Sequence, residues 1–241
     1  MKLFFACDHD IELLPHFLRH YICLGFTHFF CSGTNAPQEI MKVALATFNL
    51  FDLELEFNHV PHYQEAKLPY FRSLQAAFAS MVHDNVGERE WYGLSELDEF
   101  HQYPISPAKL AQECEAGSWD VVLGILVDRV AADGGLPPLR SDVSLEQQFP
   151  KASAITENIA KSCLDKVMLL RGQREIHGGN HSTAWPYRAW PEKFVVNHFK
   201  WSENILKRMQ ERVLMDDEGN NWVSGNARVL KHWEKCKSVL V

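Results

Sequence analysis

Short apolar segments alternate with helical segments along the first half of the chain, and this alternation limits the fold more than any other feature. Apolar residues at 2–7, 26–31 and 53–58 predict buried strands. Apolar residues at helical spacing predict a helix over 11–24, and a second helix is predicted at about 37–48. Strands that alternate with helices are typical of a parallel sheet covered by helices, so the sequence predicts an α/β fold.

The rest of the chain continues the alternation less regularly. A helix at about 66–84 precedes predicted strands at 91–97 and 119–127, and a short helix at about 104–117 lies between those strands. Residues 131–150 contain two glycines, three prolines and many polar groups, which predicts a long loop. The remaining predicted elements are a strand or short helix at 164–170, a strand at 194–199 and a helix at 202–213.

Length and composition narrow the class of protein. The 241 residues contain no repeat, linker or low-complexity segment, so we expect one domain over residues 1–241. The formal net charge is −7, which disfavours nucleic acid as the main partner because proteins that bind it usually carry a basic face. No apolar run approaches the roughly 18 residues of a transmembrane helix. Six cysteines without a CxxC pair favour free thiols in the cytoplasm.

Acidic residues end the predicted strand at 91–97. Glu96 and Asp98 are two residues apart, so they project to the same side of an extended chain, and Glu99 follows on the turn. Open parallel sheets bind ligands beyond the carboxyl ends of their strands. Carboxylate oxygens at that position are suitable ligands for Mg²⁺ or Mn²⁺. The alternative from spacing alone is an exposed acidic turn.

Four segments together resemble the glycosyltransferases of the GT-A fold, and among them the family-2-like transferases. WYGLSELDEF at 91–100 is similar to the family's strand that runs into a D-x-D-E-F type motif. Residues 10–29 contain an acidic residue, a helix with a His-Tyr pair, then Leu-Gly and a strand, in the family's order. LVDR at 126–129 and VNHFKW at 196–201 also resemble family segments.

The resemblance implies a single GT-A-like, Rossmann-like domain with a mostly parallel central sheet flanked by helices. The nucleotide-sugar part would cover about 1–100, the acceptor part about 101–213, and a tail 214–241. It also implies a metal-dependent glycosyltransferase that moves a sugar from a nucleotide-sugar donor to a glycan or lipid-linked acceptor, with inversion as the family-like default. We expect a cytoplasmic protein, with any association with a membrane made through its acceptor.

The resemblance also implies a metal site. The D-x-D carboxylates, here Glu96 and Asp98, would hold Mn²⁺ or Mg²⁺ on the donor diphosphate and offset its developing negative charge. A histidine is a common further ligand in this fold, and the candidates are His198 and then His181. The sequence departs from the family at Glu96, which replaces the first Asp of the motif.

Further candidates would contact the nucleotide or the acceptor. Asp8 and Asp10 follow the first strand, where this fold commonly holds the base. Asn35 lies in a loop where relatives carry an acidic residue, and Lys200 is a candidate phosphate contact. Asp128 ends a long strand and is the candidate catalytic base or acceptor-binding group.

Other functions remain open from the sequence. Glu146 in the long loop is a rival base to Asp128. A nucleotidyltransferase is one alternative, although the first loop lacks the glycine-rich basic signature usual in that class. A catalytically degenerate GT-A-fold protein used for binding or assembly is another, and the Glu96 replacement and the missing acid at 32–35 favour it.

Overall fold

A computed structural model describes residues 1–7, 10–33, 42, 54–59, 70–214 and 221–239. The strands in these residues are β1 (Lys2–Ala6), β2 (His28–Gly33), β3 (Glu54–His59), β4 (Trp91–Glu96), β5 (Glu99–His101), β6 (Val121–Val130), β7 (Lys151–Ser153), β8 (Asp165–Arg171), β9 (Ile176–His177), β10 (Ser182–Thr183) and β11 (Phe194–His198). The helices are α1 (Leu14–Cys23), α2 (Tyr70–Asn85), α3 (Pro107–Ala116), α4 (Leu145–Gln148), α5 (Ile205–Leu214) and α6 (Asn221–Val239), with short turns at Ile11–Leu13, Thr156–Ala160 and Gly178–Asn180. The helix predicted at about 37–48 lies outside the described residues, apart from residue 42.

The chain divides into two compact units. The first comprises Met1–Ile125 and Asp165–Val196, and the second comprises Leu126–Leu164 and Asn197–Val241. One domain over residues 1–241 stays a prediction. None of the helices in the described part of the chain is long and apolar enough to cross a membrane.

The first unit is built on a large central sheet. The strand order is β3-β2-β1-β4-β8-β6-β11-β5, and β6 and β11 continue into the second unit. The pairings β3 with β2, β2 with β1, and β1 with β4 are parallel, as the alternation predicts. β8 is antiparallel to both β4 and β6. The predicted mixed α/β class, with a large sheet flanked by helices, is confirmed.

Helices cover both faces of the parallel strands. Phe4 of β1 stacks on Phe30 of β2 at 4.5 Å between ring centroids and packs in the cluster that contains Phe78 of α2. The next residue, Phe5, points to the other face and contacts Phe17 of α1 at 4.7 Å. A strand that is covered on both faces needs apolar side chains on both, so its sequence is continuously apolar rather than alternating. This explains the composition of β1.

The second unit has its own core. Its strand β7 pairs antiparallel with the last residues of β6, with Asp128 opposite Ser153. Trp201 stacks on Trp233 of α6 at 6.1 Å between ring centroids, and Ile205 and Met209 of α5 belong to the same cluster. The helix predicted at 202–213 is confirmed, although its first residue is Ile205.

Short elements account for most differences from the sequence prediction. β5 and β7 have three residues each, too few to show a periodicity. The loop predicted at 131–150 contains the single-turn helix α4, whose N-terminal Ser144 side chain accepts a hydrogen bond from the Gln147 amide. Pairing with a neighbouring strand, rather than local sequence, determines β5 and β7.

Candidate functional site

Three carboxylates converge at the carboxyl end of β4. Glu96 is the last residue of β4 and pairs with Ala6 of β1, Asp98 lies in the following turn, and Glu99 begins β5. One carboxylate oxygen from each of the three acids lies within 4.8 Å of the others. This is the position at which open parallel sheets bind their ligands. The acidic cluster, defined as Glu96, Asp98 and Glu99, could hold a divalent metal ion.

Buried hydroxyl groups fix the turn that carries these acids. The Tyr21 hydroxyl, from α1, lies 2.9 Å from Ser95 Oγ and donates to the backbone oxygen of Glu99 at 3.0 Å. Ser95 Oγ also lies 3.0 Å from the backbone oxygen of Glu96. Burial raises the pKa of Tyr21, so its hydroxyl stays protonated and remains a donor. Helix α1 therefore positions the acidic turn.

The neighbouring histidine of α1 supports the same region. His20 Nε2 lies 2.9 Å from the backbone oxygen of His101, which can only accept, so Nε2 is the donor. His101 is fully buried, and its Nδ1 lies 3.0 Å from the Tyr103 hydroxyl. The His-Tyr pair, residues 20 and 21, thus contacts both ends of β5. The His-Tyr pair therefore has a structural role, because it holds the backbone of β5 against helix α1.

A buried lysine lies within the acidic cluster. Lys166 Nζ donates to Glu96 Oε2 at 3.1 Å and forms a short ion pair with Glu99 Oε1. It also donates to the backbone oxygen of Gly179. Burial alone would lower the pKa of Lys166, but the carboxylates of Glu96 and Glu99 raise it above its usual value. Lys166 is therefore charged at neutral pH.

Lys166 contacts one carboxylate oxygen of Glu96 and one of Glu99. Glu99 is fully buried, and its Oε2 accepts a hydrogen bond from the Glu96 amide at 3.2 Å. Burial alone would raise the pKa of Glu96, but Lys166 lowers it below its usual value. Glu96 is therefore ionised, with one of its oxygens held by the lysine.

The structure brings His181 to the same group of side chains. His181 Nδ1 lies 2.8 Å from the backbone oxygen of Asp165, so Nδ1 donates, and in the neutral imidazole the lone pair is on Nε2. A Cβ added to Gly179 would lie 3.2 Å from His181 Nε2 and 3.5 Å from Glu96 Oε1. The glycine has a positive φ of 64°, which glycine adopts without strain, and its missing side chain allows the His181 ring to lie close to the backbone.

The second unit contains a separate buried polar group. Asp128 accepts three hydrogen bonds: from the Thr156 amide at 2.6 Å, from Thr156 Oγ1 at 2.8 Å and from His198 Nδ1 at 3.0 Å. Burial alone would raise the pKa of Asp128, but the hydrogen bonds from His198 and Thr156 lower it. Two residues that the sequence analysis singled out separately therefore form one pair, with the imidazole oriented by the carboxylate.

The remaining predicted site residues are placed as follows. Asp8 and Asn35 lie outside the described residues. Asp10 has a positive φ of 55°, and its carbonyl accepts from the Leu13 amide. Lys200 is half-buried between β11 and α5, and Glu146 is exposed on the single-turn helix α4. Their roles stay predictions.

Sequence reasoning missed Lys166 and Thr156. A signal for Lys166 was present, since it is the one basic residue in the predicted strand at 164–170 and the residues after it are apolar. A lysine in a strand that is otherwise buried needs a negatively charged partner. Thr156 carried no such signal, because its role depends on a backbone amide 28 residues from Asp128.

The similarity of this chain to known proteins is low. No protein-family model matches the chain, and no curated protein matches it. Among solved structures, the chain is similar to HddC from Yersinia pseudotuberculosis, with a TM-score of 0.36 and 11% sequence identity over 76% of this chain and 74% of that chain. A likeness at this TM-score carries no conclusion about function.

Proposed function

We propose that this protein is a metal-dependent glycosyltransferase that moves a sugar from a nucleotide-sugar donor to a glycan or lipid-linked acceptor. The observation that supports the proposal is the acidic cluster at the carboxyl end of β4, beside the parallel strand β1. A nucleotide sugar leaves as a diphosphate, and carboxylates at this edge of a sheet can hold the ion that neutralises it. The resemblance of residues 91–100 to the D-x-D-E-F type motif motivates the choice of reaction.

The donor atoms suit Mn²⁺ or Mg²⁺. Both ions prefer oxygen ligands and leave coordination positions for phosphate oxygens. Lys166 holds Glu99 Oε1 and Glu96 Oε2, so the ion would bind through Glu96 Oε1 and Asp98. His181, with its lone pair on Nε2 near Glu96 Oε1, is the proposed nitrogen ligand. The bound ion would supply charge neutralisation for the leaving diphosphate.

The pair of Asp128 and His198 in the second unit is the proposed proton-accepting group, since the sequence predicts a base at Asp128. Both oxygens of Asp128 already accept hydrogen bonds, and its lowered pKa makes it a weak proton acceptor. In a neutral His198 whose Nδ1 donates to Asp128, Nε2 is the nitrogen that would accept the proton. In this proposal Asp128 is a positioning residue and His198 is the base.

The same nitrogen would allow His198 to bind a metal ion, as the sequence analysis proposed. The two roles make opposite predictions for His198→Gln. If His198 is the base, it is not needed for metal binding, and the variant should keep the Mn²⁺ affinity of the native chain. If His198 is a metal ligand, the variant loses that ligand, and the Mn²⁺ affinity should fall at least tenfold.

The first experiment is a thermal-shift measurement with UDP, GDP, CDP and dTDP, each with and without Mn²⁺. A ligand at about 100 times its dissociation constant adds about 2.7 kcal/mol to the free energy of unfolding, which is roughly 5–10 °C in Tm for a chain of this size. We expect one nucleotide to raise Tm only with Mn²⁺, and Asp98→Ala to abolish the shift. Glu113→Ala, which removes an exposed acid on α3, is the matched control and should keep it.

Each negative result has a defined meaning. A shift that needs no metal would contradict metal dependence at the acidic cluster. No shift with any nucleotide, in a chain that unfolds cooperatively, would contradict the transferase and favour the degenerate binding protein. Turnover of a nucleoside triphosphate and a sugar phosphate to diphosphate would instead indicate the nucleotidyltransferase.

A further inference from the structure

Lys166 has the surroundings of a bound cation. Its side chain is 2% exposed, and its ammonium group contacts one oxygen each from Glu96, Glu99 and the backbone of Gly179. An ammonium group has three N–H donors; two of them donate to Glu96 Oε2 and the Gly179 oxygen, and Glu99 Oε1 is an ion-pair contact. Two carboxylate oxygens and a carbonyl oxygen are also the donor set that a hard metal ion takes in proteins.

The charges of the acidic cluster explain why a cation is needed there. Three carboxylates lie together, and one of them, Glu99, is fully buried. Like charges at this separation repel strongly away from water, so the cluster is unfavourable without compensation. Lys166 places one positive charge directly against two of these carboxylates, Glu96 and Glu99.

We propose that Lys166 is a resident cation of the acidic cluster, in an oxygen-lined position that a metal ion would otherwise take. The cluster is then ordered without added metal, and Glu99 is a ligand of the lysine rather than of an exchangeable ion. This inference deepens the proposed function at the same site, because it limits the exchangeable ion to the remaining oxygens of Glu96 and Asp98. Metal binding is thereby separated from folding, unlike in proteins whose ligand cluster forms only around its ion.

Two substitutions of Lys166 distinguish the effect of losing its positive charge from the effect of losing its side-chain volume. Lys166→Met keeps most of the side-chain volume and removes the charge. Lys166→Ala removes both, and leaves the three oxygens around an opening that an ion can enter. Lys193→Met is the matched control, because Lys193 forms an exposed pair with Asp165 at 2.6 Å. The readout is Tm by differential scanning calorimetry in EDTA and in millimolar Ca²⁺ or Mn²⁺.

We expect the native chain and Lys193→Met to have the same Tm in EDTA within about 2 °C, since exposed pairs contribute little. Lys166→Met should lose on the order of 10 °C, because it leaves buried carboxylates uncompensated. For Lys166→Ala, adding Ca²⁺ should restore at least half of the Tm that the substitution removes. For Lys166→Met, Ca²⁺ should not raise Tm. The double variant Lys166→Ala with Glu99→Gln should show no recovery.

Two results would overturn the inference. One is Lys166→Met with the native Tm in EDTA. The other is Lys166→Ala with the same Tm in EDTA and in Ca²⁺. Both are independent of nucleotide binding, so a failure here is distinguishable from failure of the transferase proposal.

A measurement on the native chain covers the case in which the variants do not fold. A buried, hydrogen-bonded ammonium exchanges its protons slowly, so the ¹⁵Nζ resonance of Lys166 should be visible at neutral pH. Ca²⁺ should leave that resonance in place, because the ion binds through other oxygens. Loss of the resonance on adding Ca²⁺ would mean that the ion displaces the lysine, which contradicts the proposal.

Discussion

Replacing Asp128 with Asn tests how the buried pair of the second unit is organised. The carboxylate accepts from the Thr156 amide, the Thr156 hydroxyl and His198 Nδ1. An Asn side chain has one acceptor oxygen, and that oxygen is needed opposite the Thr156 amide, which can only donate. The amide nitrogen of the Asn then faces Thr156 Oγ1 and His198 Nδ1. The hydroxyl can rotate to accept, but Nδ1 can accept only if the imidazole proton moves to Nε2.

The magnitude follows from the hydrogen bonds that change. Hydrogen bonds to a charged group contribute about 1.5–3 kcal/mol and neutral ones about 0.5–1.5 kcal/mol, so each of the three bonds loses roughly 1 kcal/mol when the charge is removed. Asp128→Asn should therefore lower the free energy of unfolding by about 3 kcal/mol, or roughly 6–12 °C in Tm. Thr156→Val removes only the hydroxyl, whose bond is made to the charged carboxylate, and should cost about 1.5–3 kcal/mol.

Two assays check the reasoning. Urea unfolding of the two single variants and the double variant gives a coupling energy, expected at about 1 kcal/mol because both changes act on one bond. Nitrogen NMR of His198 should show the proton on Nδ1 in the native chain and on Nε2 in Asp128→Asn. A native stability for Asp128→Asn, or the same tautomer in both proteins, would refute this account of the pair.

Two further predictions concern the support of the acidic turn. Tyr21→Phe removes the hydroxyl that lies 2.9 Å from Ser95 Oγ. It should cost about 1–3 kcal/mol by urea unfolding, because the single proton of Ser95 Oγ cannot supply the backbone oxygens of both Glu96 and Glu99. A loss below about 0.5 kcal/mol would contradict the role of α1. Burial holds the pKa of His101 well below its usual value. The unfolded chain gains a proton near pH 6.5 and the folded chain does not, so stability is full above that pH and falls below it, by up to about 1.4 kcal/mol per pH unit. Urea unfolding at pH 7.5 and 5.5 should show this fall, and His101→Asn should reduce it; equal falls in both proteins would exclude His101 as the cause.

Local sequence contained enough information for the strands that hold the candidate site. β1 and β4 are apolar because they are covered on both faces, and that signal does not depend on any distant residue. The two acids at the end of β4 could be placed at a ligand-binding edge because side chains alternate along a strand and parallel strands end at the same edge. Helix α3 was predicted near 104–117 and observed at Pro107–Ala116.

The antiparallel direction of β8 could not be predicted from the local sequence. β8 reads as an apolar segment, and nothing within it distinguishes a strand parallel to β4 from one antiparallel to it. The direction depends on how the chain returns to the sheet. The same return places Lys166 of β8 against Glu96 of β4, an ion pair across 70 residues.

The sequence by itself determined an α/β class and an acidic strand end, and both rest on periodicity and residue spacing, which are local properties. The further candidates for metal binding and proton transfer came from the resemblance to the GT-A glycosyltransferases. Tertiary structure decided how those residues combine: Lys166 with Glu96 and Glu99, Tyr21 with the acidic turn, and His198 with Asp128. Such partners are chosen by distance in space, and burial then strengthens each pair because water no longer competes for its charges and hydrogen bonds.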